Sequence, residues 1–284
     1  MIRRFFRVTK PGIIFGNIIT TAGGFFLASR GSVNYVTLLC AVLGISLVVA
    51  CGCVLNNIID RDIDKLMERT KNRVLVLGLI SVRAAFAYGL ILGILGLYIL
   101  QMGTNWLTVI IAVVGLLVYV GAYSLWLKRH SVYGTLIGSI SGAVPPVVGY
   151  CAVSNQMDAG AITLFFILSI WQIPHSYAIA IYRFSDYANA KIPVLPVRKG
   201  IFYTKVQILL YVTAFVIATL MLTFLHYTGT AYFISALILG IFWIRLSILG
   251  FSTKDDKKWA RKTFVFSIIC ITILSIMMSV DPIR

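Results

Sequence analysis

Acidic side chains are scarce in this chain: nine Asp and Glu stand against 25 Lys and Arg, and charged residues of both signs make up only 12% of the 284 positions. A soluble globular domain carries roughly twice that share, so that class is excluded. Cysteine is also sparse. The five cysteines, at 40, 51, 53, 151 and 270, lie in apolar surroundings. Cys51 and Cys53 have one residue between them and no second pair, so no zinc-site spacing is present and incidental burial is their simplest reading. The net charge of +16 would suit nucleic acid only with a soluble basic face carrying aromatic or groove-reading elements, and none is present. The basic start MIRRFFRVTKPG is followed by a hydrophobic run without a clear small-residue cleavage site. That run is therefore expected to be a first span, not a removable signal peptide.

What is abundant is apolar. Hydrophobic residues make up 60% of the chain, and the mean hydropathy is +0.94. Uncharged stretches of about 20 residues, each long enough to cross a hydrocarbon core of about 30 Å as a helix, predict an all-α polytopic membrane protein forming one domain over 1–284. The expected spans are 11–28, 35–56, 84–101, 105–124, 133–153, 160–181, 205–225, 231–249 and 263–280. The basic residues sort sharply between their ends. The N-terminus (Arg3, Arg4, Arg7, Lys10) and segments 57–83, 126–130, 183–205 and 245–262 share one side, which leaves only Arg30 and Arg284 on the other. The positive-inside rule places the rich side, and with it the N-terminus, in the cytosol. Nine spans then put the C-terminus outside.

Four of the nine acids fall in one stretch, CGCVLNNIIDRDIDKLMERTKNR, from Cys51 to Arg73 at the end of the second span. On a continuing helix Asn56, Asp60 and Asp64 recur every four residues and drift by about 40° per step, so three oxygen-bearing groups face one space. Carboxylates with an amide beside them suit a hard divalent cation such as Mg²⁺ that phosphate oxygens also hold. Arg69, Arg73, Arg183, Lys191, Arg198 and Lys199 lie in the same set of loops. Metal-binding acids together with cations are what a magnesium-bound diphosphate requires, although basic loops alone would follow from topology. Arg69 and Arg73 would point away from Asp60 in an unbroken helix, so the helix must end soon after Asp64 if they are to take part.

The sixth span gathers polar residues in WQIPHSYAIAIYRFSDY. At 100° per residue Gln172, His175, Tyr182 and Asp186 share a stripe, with His175 about 16 Å deeper than Asp186. A histidine there is either a satisfied core residue or a group aimed into a cavity. Tyr182, Asp186 and Ala190 echo the spacing of Asn56, Asp60 and Asp64 with a single acid, so the two helix ends could face each other. Gly134, Gly138 and Gly142, followed by Pro145 and Pro146, predict close packing and a kink in the fifth span. Tyr119 and Tyr123, one turn apart, are interfacial anchors or the lining of a site where a carbocation forms.

The NxxxDxxxD pattern at Asn56, Asp60 and Asp64 on the second of nine spans resembles the intramembrane aromatic prenyltransferase superfamily. DRDIDKLMERTKNR, HSVYGTLIGSISGAVPPVVGY, WQIPHSYAIAIYRFSDY and IPVLP are similar to its heme-farnesylating members over essentially the whole chain. The resemblance implies nine helices around a central cavity open toward the cytosolic side of a bacterial cytoplasmic (inner) membrane. It implies transfer of farnesyl from farnesyl diphosphate to the 2-vinyl group of heme B, with addition of water, giving heme O for respiratory terminal oxidases. It further implies Mg²⁺ and diphosphate at Asn56, Asp60 and Asp64, with Asp186 as the second helix's carboxylate. Arg69, Arg73 and Lys191 would lie on the diphosphate or, for the arginines, on heme propionates, and His175, Gln172 and Tyr182 on the heme. The implied partners are a heme-copper terminal oxidase or heme A synthase, with no nucleic acid. The superfamily's second motif commonly carries two aspartates, and here the later position is Ala190. Three other readings keep some of these features: a phenolic acceptor such as 4-hydroxybenzoate, a cation-coupled transporter, and an oxidase assembly subunit that binds heme without altering it.

Overall fold

The computed structural model describes residues 2–283; Met1 and Arg284, the latter counted above on the sparsely charged side, lie outside the described residues. The described residues contain nine helices apolar and long enough to span a bilayer: Pro11–Ser29, Tyr35–Ile59, Val82–Gly103, Trp106–His130, Gly134–Ser154, Ala159–Tyr182, Ile201–Phe224, Thr230–Leu249 and Asp256–Val280. All nine expected spans are present. Several run further than hydropathy alone indicated, the fourth to His130 and the ninth from Asp256. Asn34, Ser81, Asn105, Asp158 and Asp255 each accept a backbone N–H of the first turn of the span that follows, satisfying donors that a helix start leaves unpaired.

The fifth span runs through the middle of the bundle. It consists of Gly134–Gly142 and Val144–Ser154 joined at Ala143, and the expected kink falls where Pro145 and Pro146 supply no N–H to the preceding turn. Its packing against the first span is backbone to backbone. A Cβ at Gly149 would sit 2.0 Å from the Thr21 carbonyl oxygen, and one at Gly24 would sit 2.1 Å from that of Pro146. Small residues are what permit this approach between helices surrounded by lipid. Spans two to four pack on one side of it and six to nine on the other, the second against the third and the sixth against the seventh and ninth.

Two breaks in the helices shape the site. The second span ends at Ile59, Asp60 has φ −86° and ψ 3°, and a short helix Arg61–Asp64 follows before the chain turns. The sixth span ends at Tyr182, Arg183 has φ −111° and ψ 30°, and the short helix Phe184–Asn189 sets off again. The two short elements meet: Ile63 and Met67 pack with Ala190 and Ile192, against Tyr187 and Val194.

Candidate active site

A cavity of about 330 Å³ opens at the end of the bundle that carries the basic loops, and Asn56, Asp64, Arg69, Arg73, Lys128 and Lys10 are among the residues lining it. Asn56 is its hub. Its Nδ2 donates to Asp60 Oδ2 at 2.8 Å and to Ser124 Oγ at 3.0 Å, while its Oδ1 accepts from Lys10 Nζ at 2.5 Å. Asp60, wholly buried, also receives Lys128 Nζ on Oδ2. Asp64 is paired with Arg73 at 2.5 Å. The helix does end at Asp64, and this is what lets Arg73 return to it.

The fourth span supplies its share through an unusual local geometry. Residues Val118–Leu127 form a π-helix, a rare geometry that is frequent at functional sites. Nine α-helical steps from Tyr119 to Lys128 total 900°, which would put them on opposite faces. The wider π turn, at roughly 80° per step, brings both to the cavity. Tyr119 and Tyr123 line it as a stacked pair with centroids 5.9 Å apart, and Ser124 reaches Asn56.

Just outside the cavity, Arg129 forms a bidentate pair with Asp62 at 2.6 and 2.7 Å and donates to the Ile59 carbonyl at 2.6 Å, tying the ends of the second and fourth spans together. Hydrogen bonding to that guanidinium holds the Asp62 carboxyl down at about 2. Burial pushes the Lys10 ammonium down to about 8, against the opposing attraction of Asp60. Lys10 also has φ 55°, a left-handed backbone that turns the chain sharply from the N-terminal helix Ile2–Val8 into the first span.

Of the residues expected at the site, Asn56, Asp64, Arg69, Arg73 and Gln172 line this cavity, and Asp60 lies directly behind Asn56. The others stand elsewhere. Asp186 is buried, and its Oδ1 accepts the Glu68 N–H at 3.0 Å, so it holds the loop that carries Arg69 and Arg73. The stripe counted from Gln172 to Asp186 does not survive the break at Arg183. His175 faces the ninth span: its Nδ1 lies 2.7 Å from Ser267 Oγ, and its ring stacks on Trp171 with centroids 4.6 Å apart. Tyr182 lies under the guanidiniums of Arg183 and Arg261. Lys191 is exposed, with φ 55°. Counting charges by side treated Lys10 and Lys128 as topology signals, and no spacing rule singled them out. Both prove to contact the acidic motif.

The donor set suits a hard cation whose shell a substrate completes. Asp60 Oδ1 is buried without a hydrogen-bond partner, and Asp64 faces the cavity. Among the described residues no three His, Cys, Asp or Glu side chains gather to hold a metal by themselves. One or two carboxylates plus phosphate oxygens and water is the usual shell of Mg²⁺.

A second, narrower hollow of about 200 Å³ continues from the first, sharing Ile13, Tyr119, Gly138 and Gln172, and runs inward between the second, fourth and fifth spans among Val48, Val49, Ala112 and Val144. The membrane helices thus enclose an ionic mouth with an apolar slot behind it. The chain belongs to the UbiA prenyltransferase family, which matches residues 17–269. It is 59% identical over 281 residues to the protoheme IX farnesyltransferase of Serratia proteamaculans and 58% identical over the same length to that of Cronobacter sakazakii, in each case across 99% of this chain and 95% of the relative. Solved structures share the fold. A digeranylgeranylglyceryl phosphate synthase superposes with a TM-score of 0.80 at 22% identity, covering 98% of this chain and 97% of that one. A UbiA homolog from Archaeoglobus fulgidus bound to GPP and Mg²⁺ superposes with a TM-score of 0.67 at 15% identity, covering 98% and 99%.

Proposed function

We propose that this protein transfers a farnesyl group from farnesyl diphosphate to the 2-vinyl group of heme B and adds water, giving heme O. The observation that carries the reading is the convergence of Asn56, Asp60, Asp64, Arg73, Lys128 and Lys10 at the mouth of a cavity that continues as an apolar slot. The relatives' name supplies the acceptor and the farnesyl group.

Asp60 and Asp64 would hold Mg²⁺ together with diphosphate oxygens and water, with Asn56 orienting Asp60. The bound ion neutralises the diphosphate and makes it a better leaving group. Lys10, Lys128, Arg69 and Arg73 take charge from the remaining oxygens as the allylic C–O bond breaks and its electron pair leaves with the diphosphate. The vinyl π electrons form the new C–C bond. Water captures the cation left beside the porphyrin and loses a proton, completing the hydroxyethylfarnesyl group. The stacked faces of Tyr119 and Tyr123 stabilise positive charge in the cavity, and the helices around it exclude bulk water from the reacting carbons. Gln172 meets the acceptor from the sixth span. Asp186 acts through the Glu68 backbone to position Arg69 and Arg73.

Purified protein incubated with heme B, farnesyl diphosphate and Mg²⁺ is expected to give a porphyrin heavier by farnesyl plus hydroxyl. Asp60→Asn should lower that product at least a hundredfold. Prenylation of 4-hydroxybenzoate in place of heme would overturn the acceptor, and undiminished product from Asp60→Asn would overturn the acidic site.

A further inference from the structure

We propose that Ile45 is the floor of the apolar slot and sets the length of the prenyl chain at three isoprene units; this rests on the donor reading above. The second span lines the slot with Cys53, Gly52, Val49, Val48 and finally Ile45, the i, i+3, i+4 stripe of a single helix face. One turn deeper the stripe leaves the slot. Ala41 is 0% exposed and packs with Phe25 and Ala152. Ile45 packs in one cluster with the slot-wall residues Val48, Ala112 and Val144 and with Leu100, Val109 and Val148, of which the last three do not line the slot. Ile45 is thus the last second-span residue to line the slot, and Ala41, one turn further, does not.

The lengths decide which chain fits. At 1.5 Å per residue, Ile45 lies about 16 Å along the helix from Asn56 at the ionic mouth. A C–C bond of about 1.5 Å at about 111° advances an extended chain by about 1.25 Å. The main chain of farnesyl, eleven bonds from its reacting carbon to its end, is therefore about 14 Å long by the same geometry. Geranyl, at about 9 Å, stops short and leaves apolar wall around Val48 unfilled. Geranylgeranyl, at about 19 Å, runs past Ile45 into the sealed packing around Ala41. Unfilled wall forfeits burial, and overrun forces repacking of a closed core, so both mismatches weaken binding.

The test uses detergent-purified full-length protein, Mg²⁺ and the thiolo analogues of geranyl, farnesyl and geranylgeranyl diphosphate, which bind without turning over. Dissociation constants for the wild-type protein should favour the farnesyl analogue over both others, by at least tenfold over geranylgeranyl. Ile45→Ala should cut that last ratio at least fivefold. Val49→Phe, which blocks the slot higher up, should shift preference to the geranyl analogue, and it decides the matter by itself should Ile45→Ala fail to fold. Equal affinity of the wild-type protein for all three analogues, or ratios unmoved by both substitutions, would overturn the proposal. Binding needs no acceptor, so a correct length ladder combined with no heme product would instead overturn the proposed reaction.

Discussion

Asp60 is a carboxylate with no exposed surface, and Lys128 forms an ion pair with it. Removing one member leaves an uncompensated buried charge, which costs about 3–5 kcal/mol. Lys128→Met should therefore lower thermal stability in detergent markedly, and adding Asp60→Asn should restore most of it without restoring activity. A double-mutant cycle on melting temperature and heme O yield checks both halves. The pair of Asp62 and Arg129 gives a pH signature. Its carboxyl lies near 2 in the fold against an ordinary value of 3.8. A depressed carboxylate stabilises above its unfolded value and loses that contribution as pH falls toward the folded one. The melting-temperature gap between wild type and Arg129→Gln should be constant above about pH 5 and close toward pH 2. A gap that widens on acidification would contradict the assigned pairing.

At the level of helices, close approach and interruption do different things. The first and fifth spans touch through glycines, so Gly149→Ala, whose Cβ would meet the Thr21 carbonyl at 2.0 Å, should destabilise by about 1–3 kcal/mol. Gly16→Ala, inside the same first span but meeting nothing within 4 Å, is the control in the same melting experiment and should be stabilising by about 0.5–1 kcal/mol. The interruptions at Asp60, Arg183 and Ala143 and the π turn of the fourth span aim side chains. They explain the uneven yield of sequence reading. Asn56 and Asp64 could be placed by counting because the chain stays nearly helical from Asn56 to Asp64, with the Asp64 N–H bonded to the Asp60 carbonyl. Asp186 could not, because the count from Gln172 crosses a change of direction at Arg183.

Across the whole molecule, the cavity lies at the end where the basic loops gather, so topology and chemistry share one set of charges. If that end faces the cytosol as the charge asymmetry indicates, single cysteines introduced at Arg4, Lys71 and Lys257 of a cysteine-free variant should label with an impermeant maleimide in inverted vesicles. One introduced at Ser32 should label only from the opposite face. The reverse pattern would invert the orientation.

The sequence by itself determined the membrane class, the nine spans, the side on which charge collects and the acidic motif on the second span. Hydropathy and charge add up locally along a chain, and a four-residue repeat on an intact helix keeps one face. Only the tertiary structure decided that Lys10 and Lys128 join Asn56 and Asp60, that His175 turns to Ser267 and not to the cavity, and that the second span lines the slot as far as Ile45. Those outcomes depend on where helices break or widen and on which neighbour fills the space beyond, and distant spans settle both.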